Sequence, residues 1–277
     1  MNKLSNKDRA KVIGCLIEGC SIRSTVRLTG VAKKTVSRIL VETGKACLKY
    51  QDEVMRDLSC KILQVDEIWS FVGCKELNAS DEQKQNGCGD SWVWVAIDAD
   101  TKLIASWHLG KRNANDAYVF IFDLKKRLAN RVQLTSDGYQ AYLQAVDMAF
   151  DGQIDYSMLI KQYGLPTGPD TRYSPPVCIG ARKRRVNGQP DMERASTSFV
   201  ERQNLTMRMS NRRFTRLTNA FSKKFENHKC SLALHFMHYN FCRIHQTIRC
   251  TPAMEAGLAD HVWSLEEIAG LFPEPNN

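Results

Sequence analysis

The spacing of the apolar residues changes once along this chain, near residue 60, and that change limits the folds open to it. Up to residue 57 the apolar positions recur at helical spacing. Ala10, Ile13, Leu16 and Ile17 mark a helix over 7–18, Ile22, Val26 and Leu28 a second after the capping residue Ser21, and Val36, Ile39 and Leu40 a third over 33–43. Residues 46–57 hold neither Pro nor Gly and read as a helical linker. From Ile62 β-formers dominate: strands are expected over 62–71, 92–97 and 103–109, the last two joined by the turn Asp98-Ala99-Asp100. A polar stretch, 76–90, reads as a long loop. Helical spacing returns over 115–128, a strand over 132–135, a helix from Tyr139, Tyr142 and Leu143, and a strand over 155–162.

Helices followed by strand, hairpin, helix, strand and helix predict an α/β (α+β, mixed-sheet) domain behind a small all-α one. The expected division is 1–45 helical, 46–60 linker, 61–250 α/β domain with a basic insertion at about 164–196, and 251–277 a helical closure with a tail. With 277 residues, 43% of them hydrophobic, the chain has material for a sizeable core.

Three acidic signatures stand in order: Val65-Asp66-Glu67, Thr135-Ser136-Asp137-Gly138 and Phe199-Val200-Glu201-Arg202. Asp66 falls within a strand and Asp137 at a strand tip, where Gly138 permits a sharp turn. Glu201 falls in the first turn of a helix capped by Thr197 or Ser198. Strand alternation places Asp66 with Gln64 and Ile68, and Glu67 with Val65 and Trp69, so only one of the neighbouring acids is expected to face a given site. At 100° per residue Asn204 and Arg208 return to the Glu201 face. Carboxylate oxygens at strand ends suit hard cations, so two Mg²⁺ ions are expected at Asp66, Asp137 and Glu201, with Mn²⁺ able to substitute.

The net charge of +9 is distributed in blocks: +6 over 1–60, −4 over 61–171, +10 over 172–224 and −3 over 225–277. Two basic blocks flanking an acidic centre point to a polyanion, and with the helical N-terminus to double-stranded DNA. The first three helices have helix-turn-helix spacing, with Gly30 at the turn and Val31 plugging the angle. Lys33, Lys34, Ser37 and Arg38 lie on the outer face of the third, where a recognition helix meets the major groove. A protein-interaction module would share that spacing. The run Arg182-Lys183-Arg184-Arg185 lies in a stretch, 164–190, with five prolines, read as a functional insertion or flexible arm on DNA. Arg212, Arg213 and Arg216, with Phe214 interleaved, extend the basic surface.

The ten cysteines include no Cys-x-x-Cys, so reduced, mostly buried thiols are expected, with no zinc; Cys74 and Cys88 flank the polar loop and could pair. No apolar run is long enough to span a bilayer, and no secretory signal opens the chain, so a cytoplasmic, nucleoid-associated protein is expected.

The stretches Ser198-Phe199-Val200-Glu201-Arg202-Gln203-Asn204-Leu205-Thr206-Met207-Arg208, Asn211-Arg212-Arg213-Phe214-Thr215-Arg216 and His238-Tyr239-Asn240-Phe241-Cys242-Arg243-Ile244-His245 resemble the DDE transposases of bacterial insertion sequences, above all the insertion-sequence-one group and its relatives. The resemblance covers nearly the whole chain and is most specific over 197–255. It implies an RNase H-like core, a Mg²⁺-dependent cut exposing a 3′-hydroxyl, and attack of that hydroxyl on target DNA. By position Asp66 and Asp137 would be the two aspartates and Glu201 the glutamate, with Asp191 or Glu193 as alternatives because 64 residues separate the second and third acids. Arg208 would help neutralise the phosphate, and Asn204, Asn240, Arg243 and His245 would be auxiliary. Handling two element ends implies a homodimer or higher oligomer in a bacterial-type cytoplasm. The rival readings are a non-catalytic DNA-binding regulator or transposase remnant, and an RNase H-like nuclease or integrase that hydrolyses without joining.

Overall fold

The computed structural model describes residues 4–164, 177–215 and 218–271. Three helices open the chain, α1 (Asn6–Ile17), α2 (Ile22–Thr29) and α3 (Lys33–Val54). Ser21 caps α2 by accepting from Ser24 N, and Gly30 ends it at φ 71°, in the left-handed region that glycine enters without strain. The expected third helix and linker are one uninterrupted helix of 22 residues. With neither Pro nor a cap between 43 and 46, nothing breaks the backbone hydrogen bonding, and Gly44 sits inside the helix where Cys230 of a later helix packs against it.

The sheet is built from β1 (Ile62–Val72), β2 (Gly89–Asp98), β3 (Ile104–Gly110), β4 (Gln133–Ser136), β5 (Asp155–Tyr163) and β6 (Cys178–Asn187), in the order β3-β2-β1-β4-β5-β6. The first three strands form an antiparallel meander, β1-β4 and β4-β5 are parallel, and β6 returns antiparallel to β5. This is a mixed α/β fold with the RNase H-like strand order. The parallel connections run through α5 (Ala114–Arg127) and α6 (Ala141–Phe150), which bury Phe120, Ile121, Leu124, Tyr142 and Val146 against one sheet face beside Trp94, Leu63 and Val65. On the other face Val200 and Met207 of α7 (Ser198–Ser210) and Leu232 and Phe236 of α8 (Phe225–Met237) cover Ile68, Val93, Val95 and Ile97.

Two segments expected to be loops carry structure. Within 76–90 the chain makes a 3-10 turn at Glu76–Asn78, the short helix α4 (Asp81–Gln85) and the start of β2. A capping box between Ser80 and Gln83 supplies the local hydrogen bonds a polar sequence needs to hold α4. Within 164–190, residues 178–187 are strand β6, whose backbone hydrogen bonds to β5 fix the basic run on a sheet edge. Residues 165–176 lie outside the described ones.

Two short helices, α9 (Pro252–Glu255) and α10 (Leu265–Gly270), close the structure, and α10 packs on α1, with Leu265 against Gly14. The expected tail, 273–277, lies outside the described residues. Among the described residues no helix is long and apolar enough to cross a membrane.

Candidate active site

The parallel register of β1 and β4 brings the first two acids together. Gln64 stands opposite Thr135, and two residues on, where β4 has ended and β1 continues, Asp66 lies abreast of Asp137. The chain turns there without help from Gly138, which has no positive φ. Asp137 makes the turn itself, its Oδ1 accepting from Tyr139 N at 2.9 Å.

Because β4 stops, β1 has no neighbour on that side at this level, and Glu67 reaches the same point from the opposite face. Ligand oxygens of Asp66, Glu67 and Asp137 all lie within 4.8 Å of one another. The expectation that only one of the two neighbouring acids could enter the site is therefore corrected. Alternation sets the direction of Cβ, but at an open sheet edge the longer glutamate side chain is free to come round. Glu67 is held there by Arg112 Nε, donating to Oε1 at 2.6 Å, and by the Tyr142 hydroxyl, donating to Oε2 at 2.9 Å.

Glu201 lines the same cleft, a cavity of about 660 Å³ that also includes Asp66, Arg112, Asp137, Tyr139, Lys161 and Thr197 in its walls. It lies outside the tight trio and is paired instead, accepting from Lys161 Nζ on both oxygens and from Thr197 Oγ1 at 2.6 Å. One helical turn on, Asn204 Nδ2 donates to Asp66 Oδ2 at 2.8 Å, so the face shared by Glu201 and Asn204 does meet the acids. Asp191 and Glu193 do not line the cleft: Asp191 Oδ1 caps the turn at 191–194 by accepting from Glu193 N, and Glu193 is exposed.

The electrostatics are those of excess negative charge, with four carboxylates facing the two cations Arg112 and Lys161 among the described residues. Burial, then the charges of Glu67 and Asp137, push the Asp66 carboxyl up to about 7. Burial raises Glu67 as well, against the lowering pull of Arg112 and Tyr142. Among the described residues Asp137 Oδ2 carries no hydrogen bond, the Asp66 carboxylate accepts from Asn204 and from the Glu67 backbone, and Asn204 Oδ1 is buried without a partner. Oxygen-only donors with excess negative charge fit a hard divalent cation, with Asp66 and Asp137 to hold it.

The remaining expected residues are dispersed. Lys33, Lys34 and Arg38 are exposed at the start of α3, Ser37 is half-buried, and Arg38 lies 3.8 Å from Glu42. On β6 the basic run alternates in direction: Lys183 Nζ donates to the Met192 and Glu193 carbonyls and Arg185 to Gln189 Oε1, leaving Arg182 and Arg184 on the other face. Arg208 lines a different cavity, about 620 Å³, with Trp69, Phe71, Lys75, Arg213 and Phe214. Arg212 lies in a 3-10 turn, and Arg216 lies outside the described residues.

The expectations for Arg213, Asn240, Arg243 and His245 are corrected. The Arg213 guanidinium turns inward, donating to Ser222 Oγ at 2.6 Å and Ser231 Oγ at 2.8 Å, and burial brings its pKa down to about 10; it braces a loop on α8. Asn240 is fully buried and clamps the β3 backbone, accepting from Ile104 N at 3.0 Å and donating to Ile104 O at 3.1 Å. His245 closes a local turn, its Nδ1 accepting from Thr247 N, and neither it nor exposed Arg243 lines the cleft. Cys74 and Cys88 are both free thiols. Glu67, Arg112, Tyr142 and Lys161 were not singled out by the sequence as site residues. Only Glu67, beside Asp66, carried any signal.

No family model and no curated protein matches the chain. Among solved structures it is similar to a chain of the simian T-cell lymphotropic virus intasome in complex with PP2A regulatory subunit B56 gamma, at 15% identity, TM-score 0.39, over 88% of this chain and 74% of that one. It is also similar to the Mos1 transposase paired-end complex with left transposon end (13%, 0.25, 56% and 60%) and to the Mos1 strand transfer complex (12%, 0.25, 84% and 78%). Similarity at these TM-scores adds no weight to the site, which stands on its own geometry.

Proposed function

We propose that this protein is a DDE-type DNA transposase, which binds the ends of a mobile element, cuts a strand and joins the freed 3′-end to target DNA. The observation that carries the reading is the convergence of Asp66 and Asp137 from adjacent parallel strands, with Glu201 in the same cleft; basic segments at 1–60 and 172–224 accompany it in the sequence. A pair of Mg²⁺ ions, or Mn²⁺ in their place, would supply activation of the attacking oxygen and stabilisation of the leaving one.

The chain's own residues do the rest. Asp66 and Asp137 offer their carboxylate oxygens as ligands, and Asn204 fixes the Asp66 carboxylate by its hydrogen bond. Lys161 and Thr197 hold Glu201 in the cleft, where its carboxylate would serve as a further ligand when the ions are bound. The start of α3, with Lys33, Lys34, Ser37 and Arg38, would read the element end; Arg182 and Arg184 would follow the backbone. Two ends call for at least a dimer, acting on DNA in the cytoplasm. The affinity to the insertion-sequence-one group rests on the stretches 198–208 and 238–245.

The test uses a labelled duplex carrying the inverted repeat that flanks the coding region. Mg²⁺-dependent nicking followed by capture of the 3′-end in a second duplex is the expected result. Asp66→Asn, Asp137→Asn and Glu201→Gln should each lower cutting by on the order of 10³-fold while end binding by fluorescence anisotropy persists. Cutting without capture leaves a hydrolase; binding without any metal-dependent cut leaves a regulator; wild-type strand transfer by Asp66→Asn sinks the proposal.

A further inference from the structure

The cleft poses an electrostatic difficulty for the substrate. A DNA phosphodiester is an anion, and it must approach Asp66, Asp137 and Glu201 with Glu67 beside them. Two cations line the cleft among the described residues. Lys161 is committed to both oxygens of Glu201. The other is Arg112, in the turn between β3 and α5.

Arg112 is mounted on three sides. Its Nε donates to Glu67 Oε1, and its guanidinium carbon lies 4.0 Å from the ring centre of Tyr139 and 5.1 Å from that of Trp92. Glu67 is itself immobilised: only 2% of its side chain is exposed, and its second oxygen accepts from fully buried Tyr142. Among the described residues Arg112 makes no other hydrogen bond, which leaves its Nη1 and Nη2 donors unclaimed there, and its side chain is 38% exposed.

We infer that Arg112 is a phosphate-binding residue of this cleft, held by Glu67, Tyr142 and Tyr139 so that its Nη1–Nη2 edge meets the non-bridging oxygens of a DNA phosphodiester. Glu67 is then a positioning residue for Arg112 and not a third ligand beside Asp66 and Asp137. Both Glu67 oxygens accept from partners that are themselves fixed, stacked Arg112 and buried Tyr142, whereas Glu201 is paired to partly exposed Lys161 and, among the described residues, Asp137 Oδ2 accepts no hydrogen bond. A guanidinium presents two parallel N–H donors that match two phosphate oxygens, and one whose rotamer is fixed in advance loses little entropy on binding. Lysine in its place would keep the charge and lose both the fork and the stack.

The inference rests on the phosphoryl-transfer reading, and the experiment separates the two. Full-length wild type, Arg112→Ala, Arg112→Lys and Glu67→Gln are compared, each checked by thermal melting, in binding of a fluorescent 20-base-pair duplex across a salt series with Ca²⁺, and in Mg²⁺-dependent cutting. Arg112→Ala should lower the slope of log affinity against log salt by about 0.9, the signature of one lost phosphate contact. Arg112→Lys should keep most of that slope yet cut about 10- to 100-fold more slowly, as loss of a bidentate donor predicts. Glu67→Gln should slow cutting similarly and still be stabilised by Mg²⁺ in the melt, as Asp66→Asn is not. An unchanged salt slope in Arg112→Ala, or loss of Mg²⁺ stabilisation in Glu67→Gln, overturns the inference. A wild type that cuts no DNA defeats the phosphoryl-transfer reading, and the salt slope still decides whether Arg112 contacts phosphate.

Discussion

Asp66 carries the sharpest conflict between folding and chemistry in the molecule. Its neighbours and its burial favour the protonated form, which is the form that cannot hold a cation. A carboxyl whose folded pKa lies near 7 against an unfolded value of about 3.9 keeps its proton longer folded than unfolded, so this contribution to stability is fullest below pH 4 and is lost as pH rises to 7. Metal-free protein should therefore lose melting temperature across that interval. Millimolar Mg²⁺ should restore more of it at pH 8 than at pH 5, because only the ionised carboxylate binds the ion. Asp66→Asn removes the buried charge and should raise the metal-free melting temperature at pH 8 by roughly 2–4 °C, the equivalent of about 1 kcal/mol in a chain of this size, while abolishing the Mg²⁺ response. Scanning calorimetry at the two pH values, with and without Mg²⁺, checks both; a melting temperature that ignores pH and metal contradicts them.

At the scale of elements, the junction of α3 and α8 depends on the absence of a side chain. A Cβ on Gly44 would stand 2.4 Å from Cys230 Cβ and 2.6 Å from its Cα and carbonyl oxygen, so the helices touch at backbone distance. Alanine is the better helix former by about 1 kcal/mol, but it would have to push α8 away, and overpacking of this kind costs about 1–3 kcal/mol. The clash is with backbone, which cannot rotate aside, so Gly44→Ala should destabilise the protein; a urea midpoint at or above that of wild type would show that the helices give way freely. Strand β6 teaches a different lesson. Its Arg182-Lys183-Arg184-Arg185 run looks like a tethered arm in sequence because it has no apolar face. It is nonetheless a strand, since an edge strand needs only backbone hydrogen bonds to β5, and charge on an edge also discourages pairing with other chains.

Across the whole molecule, the larger of two apolar clusters among the described residues runs from the N-terminal helices into one face of the sheet. Ile13, Leu16, Leu40, Cys47 and Met55 belong to the same buried cluster as Leu63, Trp94, Phe120 and Phe241. Tyr50 of α3 packs on Phe241 and Trp263, tying the helical segment to the end of the chain. The protein should therefore unfold in one calorimetric transition, and deletion of residues 1–45 should leave an unfolded remainder; two resolved transitions would show separable units. Local pattern was enough to read the types of the elements with an apolar face, because the period of the apolar residues is written within ten or twenty positions; α4 and β6, which have no such face, were read as loops. Local pattern also singled out Asp66, Asp137 and Glu201 as candidates, with basic segments before and after the acidic stretch of the chain. Only the tertiary structure decided that Glu67 joins the aspartates, that Arg112 and Lys161 enter the cleft, and that Asn240 and Arg213 serve packing instead. Those outcomes turn on where β4 ends beside β1 and on contacts between residues 40 to 136 positions apart, or for Arg213 on contacts 9 and 18 positions away across a loop, and there strand register and close packing, which periodicity does not encode, determine which side chains meet.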